Sequence, residues 1–174
     1  MQELLRLEPI FHEKIWGGTK LREVFNYPIP SNSTGECWGI SAHPHGDCRI
    51  TNGPLAGMRL SEVYAQYPGL FNYMEYPQFP LLVKIIDSKD DLSVQVHPDD
   101  TYAKRIGEAY GKSECWYVLS CDEEAEIVYG HQAQTKEELE AMITRGSWDQ
   151  LLRRVKIKPG DFFYIPAGTV HALG

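Results

Sequence analysis

The sequence predicts a mainly β fold of the jelly-roll kind, a barrel or sandwich of mostly antiparallel strands with a few short inserted helices. Three observations lead to this fold class: short apolar runs separated by turn-forming residues, strict apolar and polar alternation in one segment, and capping signals that place helices between strands. Strands that follow one another with only minor helices between them favour antiparallel pairing over a βαβ arrangement.

Turn-forming and apolar segments alternate in the first eighty residues. Stretches rich in glycine, proline and serine at 16–18, 27–35 and 52–57 predict brief strands joined by turns. One minor helix is expected near 60–67. From residue 81 onward the strand signal strengthens, and six strands are predicted, at 81–86, 92–97, 115–119, 125–129, 155–158 and 161–165.

Two capping signals place helices among these later strands. Asp99 or Asp100 is suited to cap a helix that runs through Ile106. Thr135 followed three residues later by Glu138 forms a capping box that opens a second helix. A further box, Ser147-x-x-Gln150, predicts one more short helical turn.

Length and charge limit the classes of protein to which the chain can belong. Its 174 residues are 43% hydrophobic and contain no repeat or low-complexity linker, so a single domain over 1–174 is predicted. The 24 acidic and 17 basic residues give a net charge of −7 without a basic stripe, and we expect no nucleic-acid partner. Every apolar stretch is shorter than about 18 residues, and the N-terminus lacks a signal-peptide pattern. A cytoplasmic location without membrane contact is therefore expected.

The alternating segment 92–97 carries the first candidate ligands. A period of two places Ser93, Gln95 and His97 on one face and aliphatic side chains on the other. A half-exposed strand would also turn polar residues to water, which is the simple structural alternative. A Gln-x-His pair followed at once by Pro98 is an unusual choice for such a surface, and it favours a functional role.

A second motif lies at 160–171, where the sequence fits G-x5-P-x-G-x2-H without a mismatch. Gly160 permits a tight turn into a strand, Pro166 ends that strand, and Gly168 allows a close turn that returns His171 toward the sheet face. This pattern is the second signature motif of the cupin barrel, in which the histidine is a metal ligand. The alternative is a plain strand-turn-strand with a packed histidine.

A carboxylate completes a possible metal-binding set. Glu114 stands at the entry of an aromatic strand, where a lone glutamate would usually be solvated. Together, Gln95, His97, Glu114 and His171 supply one amide oxygen, two imidazoles and one carboxylate. This set of nitrogen and oxygen donors suits a borderline divalent ion such as zinc and leaves a position for water or substrate.

Three segments of the chain, 92–100, 111–117 and 165–174, resemble the type I mannose-6-phosphate isomerases in their short bacterial form. The pieces 16–18 and 36–41 also match that family, as does 82–84, so the resemblance covers the whole chain. It implies interconversion of mannose 6-phosphate and fructose 6-phosphate, with a sugar phosphate as the partner. Family members continue for well over a hundred residues past the last motif, so we expect a barrel that is incomplete at its C-terminus. The oligomeric state is not predicted.

The resemblance also implies residue roles. The matching positions bind one zinc ion in that family, which by position implies Gln95, His97, Glu114 and His171 here. The reaction moves a proton between neighbouring carbons while negative charge develops on oxygen. Lys112 is the first candidate for the base, because a partly desolvated lysine beside a metal ion gives up its proton more readily. A role as phosphate partner remains open for the same residue.

Two further residues are candidates for the substrate pocket. Lys84 interrupts an aliphatic strand, where an unpaired ammonium group would be costly, so it should have a partner. We predict Lys84 to be a catalytic or substrate-binding cation, with an edge-strand lysine that reaches solvent as the alternative. Ser93 is a candidate for binding phosphate or sugar because it shares a face with Gln95 and His97.

Rival interpretations involve other residues and other functions. His43 and His45 form an H-x-H pair that competes as a metal site, although the intervening Pro44 weakens it. Trp16 and Trp38 are suited either to stacking on a sugar or to the core. Two other functions compete with the isomerase: a catalytically silent cupin that binds a sugar, and a cupin oxygenase with iron in the same ligands.

Overall fold

The computed structural model describes residues 4–174 and confirms the predicted mainly β fold, with short helices between the strands. The chain divides into two compact units, one ending at Lys89 and the other spanning Asp90–Gly174. The single domain over 1–174 stays a prediction. Within the described part of the chain, no helix combines the length and the apolar character needed to cross a membrane.

The first unit is built around strand β3, which pairs antiparallel with β2, β4 and β6, while β1 pairs with β5. Its buried core centres on Leu21, Ile29 and Cys37. The strands and helices of this unit are β1 (Leu7–Glu8), β2 (Ile10–Gly18), α1 (Lys20–Glu23), β3 (Thr34–His43), β4 (Gly46–Asp47), β5 (Arg49–Ile50), a 3-10 turn (Gly53–Leu55), α2 (Leu60–Gln66), a second 3-10 turn (Pro68–Phe71) and β6 (Leu82–Ile86).

The prediction of brief strands was wrong for β2 and β3, which are nine and ten residues long. Gly17 and Gly18 do not form a turn, because they are the last two residues of β2. A Cβ atom on Gly17 would lie against the carbonyl oxygen of Ser33 and 2.5 Å from the backbone nitrogen of Gly35. Gly17 is therefore needed because two backbones approach closely, whereas a Cβ atom on Gly18 would lie 2.6 Å from the carboxyl group of Asp87.

The second unit contains two small antiparallel sheets, one pairing β7 with β10 and one with the order β11-β8-β9. The strand that carries Glu114 is thus paired with the strand that leads toward His171. The strands and helices of this unit are α3 (Asp100–Ile106), β7 (Glu114–Tyr117), β8 (Glu126–His131), α4 (Lys136–Arg145), α5 (Trp148–Leu151), β9 (Leu152–Lys156), β10 (Phe162–Ile165) and β11 (His171–Leu173).

The capping signals are confirmed for two helices, and the third predicted its short helical turn correctly but not its cap bond. The Asp99 side chain accepts a 2.7 Å hydrogen bond from the backbone N–H of Tyr102 and begins α3. The Thr135 hydroxyl accepts from the N–H of Glu138 at 3.1 Å and begins α4. Ser147 makes no side-chain cap bond, and the helix after it, α5, lasts only four residues.

The predicted strand at 92–97 was wrong. The segment is irregular. Gln95 and His171 form one bridge to β11 and exchange backbone hydrogen bonds of 3.0 and 2.9 Å, and the N–H of Leu92 donates to the carbonyl oxygen of Leu173 at 2.8 Å. Val94 and Val96 are 46% and 55% exposed, so their alternation with polar residues does not correspond to a buried face. Leu92 and Gln95 are three positions apart in the chain while Leu173 and His171 are two apart, so the two contacts differ in register by one residue and do not join into a continuous ladder.

Candidate metal centre

Three of the four predicted ligands come together in the second unit. His97 precedes Pro98 at the end of the irregular segment, Glu114 begins β7, and His171 begins β11. One donor atom from each lies within 4.8 Å of the others. The Nε2 atom of His97 is 3.3 Å from Oε1 of Glu114, and Nε2 of His171 is 3.4 Å from Oε2. The carboxylate therefore faces both imidazoles.

The two imidazole nitrogens fit a metal ion better than they fit their present surroundings. Nε2 of His97 and Nε2 of His171 are buried, and among the described residues neither has a hydrogen-bond partner. Leaving a buried polar atom unpaired is costly. Nδ1 of His171 donates to the carbonyl oxygen of Thr169 at 2.8 Å, so in the neutral ring Nε2 carries the free lone pair. Two such nitrogens and one carboxylate are a donor set that zinc or a similar divalent ion accepts.

The charges of the group also favour metal binding. Burial holds the pKa of His97 below its usual value, and the positive charge of Lys112 lowers it further, against the opposing attraction of Glu114. Burial alone would raise the pKa of Glu114, but its hydrogen bond to Lys112 and the nearby positive charges lower it overall. At neutral pH the site therefore presents a neutral imidazole and an anionic carboxylate, and neither needs to lose a proton before it binds a metal ion.

Comparison with known proteins identifies the family to which the chain belongs. The family model described as phosphomannose isomerase type I, catalytic domain, matches residues 4–143 of the sequence. The chain belongs to the type I phosphomannose isomerase family. Mannose-6-phosphate isomerase ManA of Bacillus subtilis is 56% identical over 174 residues, covering 99% of this chain and 55% of the relative. The mannose-6-phosphate isomerase of Streptococcus mutans is 54% identical over 174 residues, covering all of this chain and 55% of the relative.

The fold is likewise that of a type I phosphomannose isomerase. The crystal structure of the mannose 6-phosphate isomerase from Bacillus subtilis aligns with a TM-score of 0.96 at 55% identity, covering 99% of this chain and 55% of that chain. The cupin-type fold class predicted from the sequence is thereby confirmed. The chain spans about half the length of the curated relatives that it matches.

Lys112 lies directly beside the candidate metal centre. Its Nζ atom is 2.8 Å from Oε1 of Glu114, and about half of its side chain is exposed. Gln95 is tied to His171 through the backbone, while both Gln95 and Ser93 are exposed residues. The ligand role of Gln95, the substrate-binding role of Ser93 and the catalytic role of Lys112 stay predictions.

Lys84 lies on β6 in the first unit and has the partner that its position required. Its Nζ atom is 3.2 Å from Oε2 of Glu36 and 4.7 Å above the ring of Trp38. Sequence reasoning assigned no role to Glu36, although a glutamate two residues before a tryptophan in an apolar strand was a usable signal. Its recognition required knowing that β3 and β6 pair so that Trp38 lies opposite Lys84. The role of Lys84 toward a substrate stays a prediction.

The rival histidine pair is arranged differently. The backbone N–H of His45 donates to Nδ1 of His43 at 3.1 Å, which occupies one of the two ring nitrogens of His43. Within residues 4–174, the group of three or more candidate donors is formed by the residues of the second unit and does not include this pair. Trp38, offered for sugar stacking or for the core, is 7% exposed and packs against the ring of His12 at 4.2 Å.

Proposed function

We propose that the chain is the catalytic-domain portion of a zinc-dependent isomerase that interconverts mannose 6-phosphate and fructose 6-phosphate. The observation that carries this proposal is the group formed by His97, Glu114 and His171, with two buried imidazole nitrogens that have no other partner in the described chain. Membership of the type I phosphomannose isomerase family supports the substrate and the reaction. The activity remains a proposal because the relatives named for it are almost twice as long.

One zinc ion is proposed to be held by Gln95, His97, Glu114 and His171. When bound, zinc supplies Lewis-acid stabilisation of the negative charge that develops on the sugar oxygen during isomerisation. The residues of the chain prepare this site in advance. The Thr169 carbonyl fixes the tautomer of His171, and Glu114 contributes the negative charge that makes the site attractive to a cation.

Lys112 is proposed to move the proton. The reaction requires a base that removes the proton from C2 of the open-chain aldose and returns it to C1, which passes through an enediol-type intermediate. The Nζ atom of Lys112 reaches the carboxylate of Glu114 while half of the side chain remains accessible from solvent. The alternative role for Lys112 is to bind the phosphate. Loss of that role would affect substrate affinity more than the rate at which bound substrate is converted.

Lys84 and Ser93 are proposed to contact the sugar phosphate. The ammonium group of Lys84 has three N–H donors, and those that do not face Glu36 are suited to donate hydrogen bonds to hydroxyl or phosphate oxygens. Ser93 is an exposed hydroxyl two residues before the proposed ligand Gln95. Replacing Lys84 by methionine or Ser93 by alanine should raise KM.

Metal content and isomerase activity test the proposal together. We expect the purified chain to bind one zinc ion and, once loaded, to form fructose 6-phosphate from mannose 6-phosphate. Because the chain spans half of its relatives, the same assay should be run on a graft in which it replaces the matching half of the Bacillus subtilis enzyme. Zinc and sugar phosphate binding without turnover in the graft would favour the silent cupin, and bound iron without zinc would favour the oxygenase.

A further inference from the structure

The turn between β10 and β11 is bonded to both of the other segments that carry candidate ligands. The backbone N–H of Gly168 donates to the carbonyl oxygen of His97 at 2.8 Å. The backbone N–H of Ala167 donates to the hydroxyl of Ser113 at 3.2 Å, and Ser113 directly precedes Glu114. Three residues after Gly168 the chain reaches His171, so this turn links all three members of the metal group.

Ser113 makes this connection where the strand pairing stops. The ladder between β7 and β10 ends with Glu114 opposite Ile165. The residue after the end of β10 is Pro166, which has no N–H group. The Ser113 hydroxyl instead accepts from the first N–H beyond the proline, that of Ala167. A side chain thus continues the contact between the two segments beyond the last strand pair.

Two other contacts of this turn join backbone atoms only. Gly168 adopts a φ of +86°, a left-handed conformation that suits glycine, and its N–H is committed to His97. The N–H of Thr169 donates to the Pro166 carbonyl at 3.1 Å within the turn. Substitution at Ser113 is therefore a way to loosen the turn on the side of Glu114 while the bond to His97 is kept.

We propose that Ser113 is a positioning residue of the metal centre. Its hydroxyl holds the 166–168 turn against the start of β7, and this sets the separation between Nε2 of His171 and the carboxylate of Glu114. Ser113 does not itself contact the metal ion. The inference rests on the proposed metal centre, and it adds to that centre an outer residue whose loss weakens binding without removing a ligand.

The test compares three variants with a matched control. Ser113→Ala removes the hydroxyl, while Ser113→Thr keeps it and Ser113→Val has the shape of threonine without it. Ser120→Ala, an exposed serine after the end of β7, is the control. Zinc affinity is measured by competition with a chromogenic chelator, and the geometry of the site by the visible spectrum of the Co²⁺ form. Hydrogen exchange of the Ala167 amide is followed in the metal-free chain.

We expect Ser113→Ala and Ser113→Val to bind zinc about tenfold more weakly, at the lower end of the effect of outer residues on metal sites. Their Co²⁺ spectra should change and the Ala167 amide should exchange faster. Ser113→Thr and Ser120→Ala should resemble the unsubstituted chain. If Ser113→Ala does not fold, the threonine and valine variants give the same comparison at matched shape and β propensity.

Three results would overturn the inference, and they are distinguishable. Unchanged zinc affinity and an unchanged Co²⁺ spectrum in both Ser113→Ala and Ser113→Val would overturn it while leaving the proposed function intact. An unsubstituted chain that binds neither zinc nor Co²⁺ would overturn the proposed function and this inference with it. Weak binding in Ser113→Thr as well as Ser113→Val would assign the effect to side-chain size and not to the hydroxyl, which also overturns the inference.

Discussion

The indole N–H of Trp38 donates a 2.7 Å hydrogen bond to Oε2 of Glu36, and both residues are only 7% exposed. The same carboxylate faces Nζ of Lys84 at 3.2 Å and Nζ of Lys14 at 3.9 Å. A buried charge is tolerated only where charged or hydrogen-bonding partners compensate for the lost water. One neutral donor and two cations therefore keep Glu36 ionised between β2, β3 and β6.

This arrangement predicts a specific loss of stability in acid. Burial raises the pKa of Glu36, but the Trp38 hydrogen bond and the charges of Lys84 and Lys14 outweigh it, so the pKa lies below its usual 4.5. A carboxyl group with a lowered pKa in the folded state contributes stability that is present above the pKa of the unfolded state. That contribution is lost as the pH falls from about 4.5 through the lower folded value.

Glu36→Gln should lower the free energy of unfolding at pH 7 by about 1–3 kcal/mol, because the buried partners lose the charged group that they compensate. The variant should also lose less stability than the unsubstituted chain between pH 5 and about pH 3. Urea unfolding across this range measures both effects. Glu13→Gln, at an exposed position of β2, is the matched control. Parallel acid curves for Glu36→Gln and the unsubstituted chain would contradict the prediction.

Gly17 and Gly39, two strand glycines of the first unit, should respond differently to replacement by alanine. A Cβ on Gly17 would meet the backbone of Ser33 and Gly35, and backbone atoms cannot move aside as a flexible side chain can. A Cβ on Gly39 would find its nearest neighbour, the carbonyl oxygen of Val83, at 4.0 Å. We expect Gly17→Ala to destabilise the fold by about 3 kcal/mol, in the upper range for overpacking, and Gly39→Ala to change it little. Thermal or urea unfolding of the two variants measures these changes. An equal loss of stability in both variants would contradict the prediction.

The parts of the fold that could be predicted depend on short-range interactions. The Asp99 and Thr135 caps involve atoms three residues apart, so the sequence contains both partners. The segment 92–97 has the local alternation of a strand, but pairing depends on a distant neighbour, and that neighbour offers a single bridge at Gln95. A local pattern therefore predicted extended backbone there but could not predict its pairing.

The candidate site shows the same distinction. His97, Glu114 and His171 were predicted because residue types and motif spacing specify donors for a metal ion, even though 74 residues separate the first from the last. Glu36 was missed because its environment is created by the register between β3 and β6, which brings Lys84 opposite Trp38. The spacing of residues within β3 or within β6 does not determine how the two strands are aligned.

The metal centre predicts different consequences for two histidines. His97→Ala removes a buried nitrogen from the donor group, so zinc affinity should fall by more than the roughly 10–100-fold that follows loss of an outer partner. His43→Ala should leave zinc affinity unchanged, because His43 lies outside that group and its Nδ1 accepts from the N–H of His45. Metal content after dialysis and chelator competition measure both. Loss of zinc from the His43 variant would show that the site has been placed wrongly.

Replacing Lys112 should impair turnover without preventing metal binding. Lys112→Met keeps most of the aliphatic stem but removes the Nζ atom that lies 2.8 Å from Glu114. Zinc should still bind, because the three donors of His97, Glu114 and His171 remain. If Lys112 is the base, kcat in the grafted enzyme should fall by about 10²–10⁴-fold with little change in KM.

The same measurement distinguishes the alternative role of Lys112. If the lysine binds phosphate, KM should rise and inhibition by inorganic phosphate should weaken, while kcat changes much less. Lys104→Met, at an exposed position of α3, removes one positive charge of the second unit outside the donor group and controls for the change in net charge. A Lys112→Met enzyme with unchanged kcat and unchanged KM would exclude both roles, and the proton transfer would then have to be assigned to another residue.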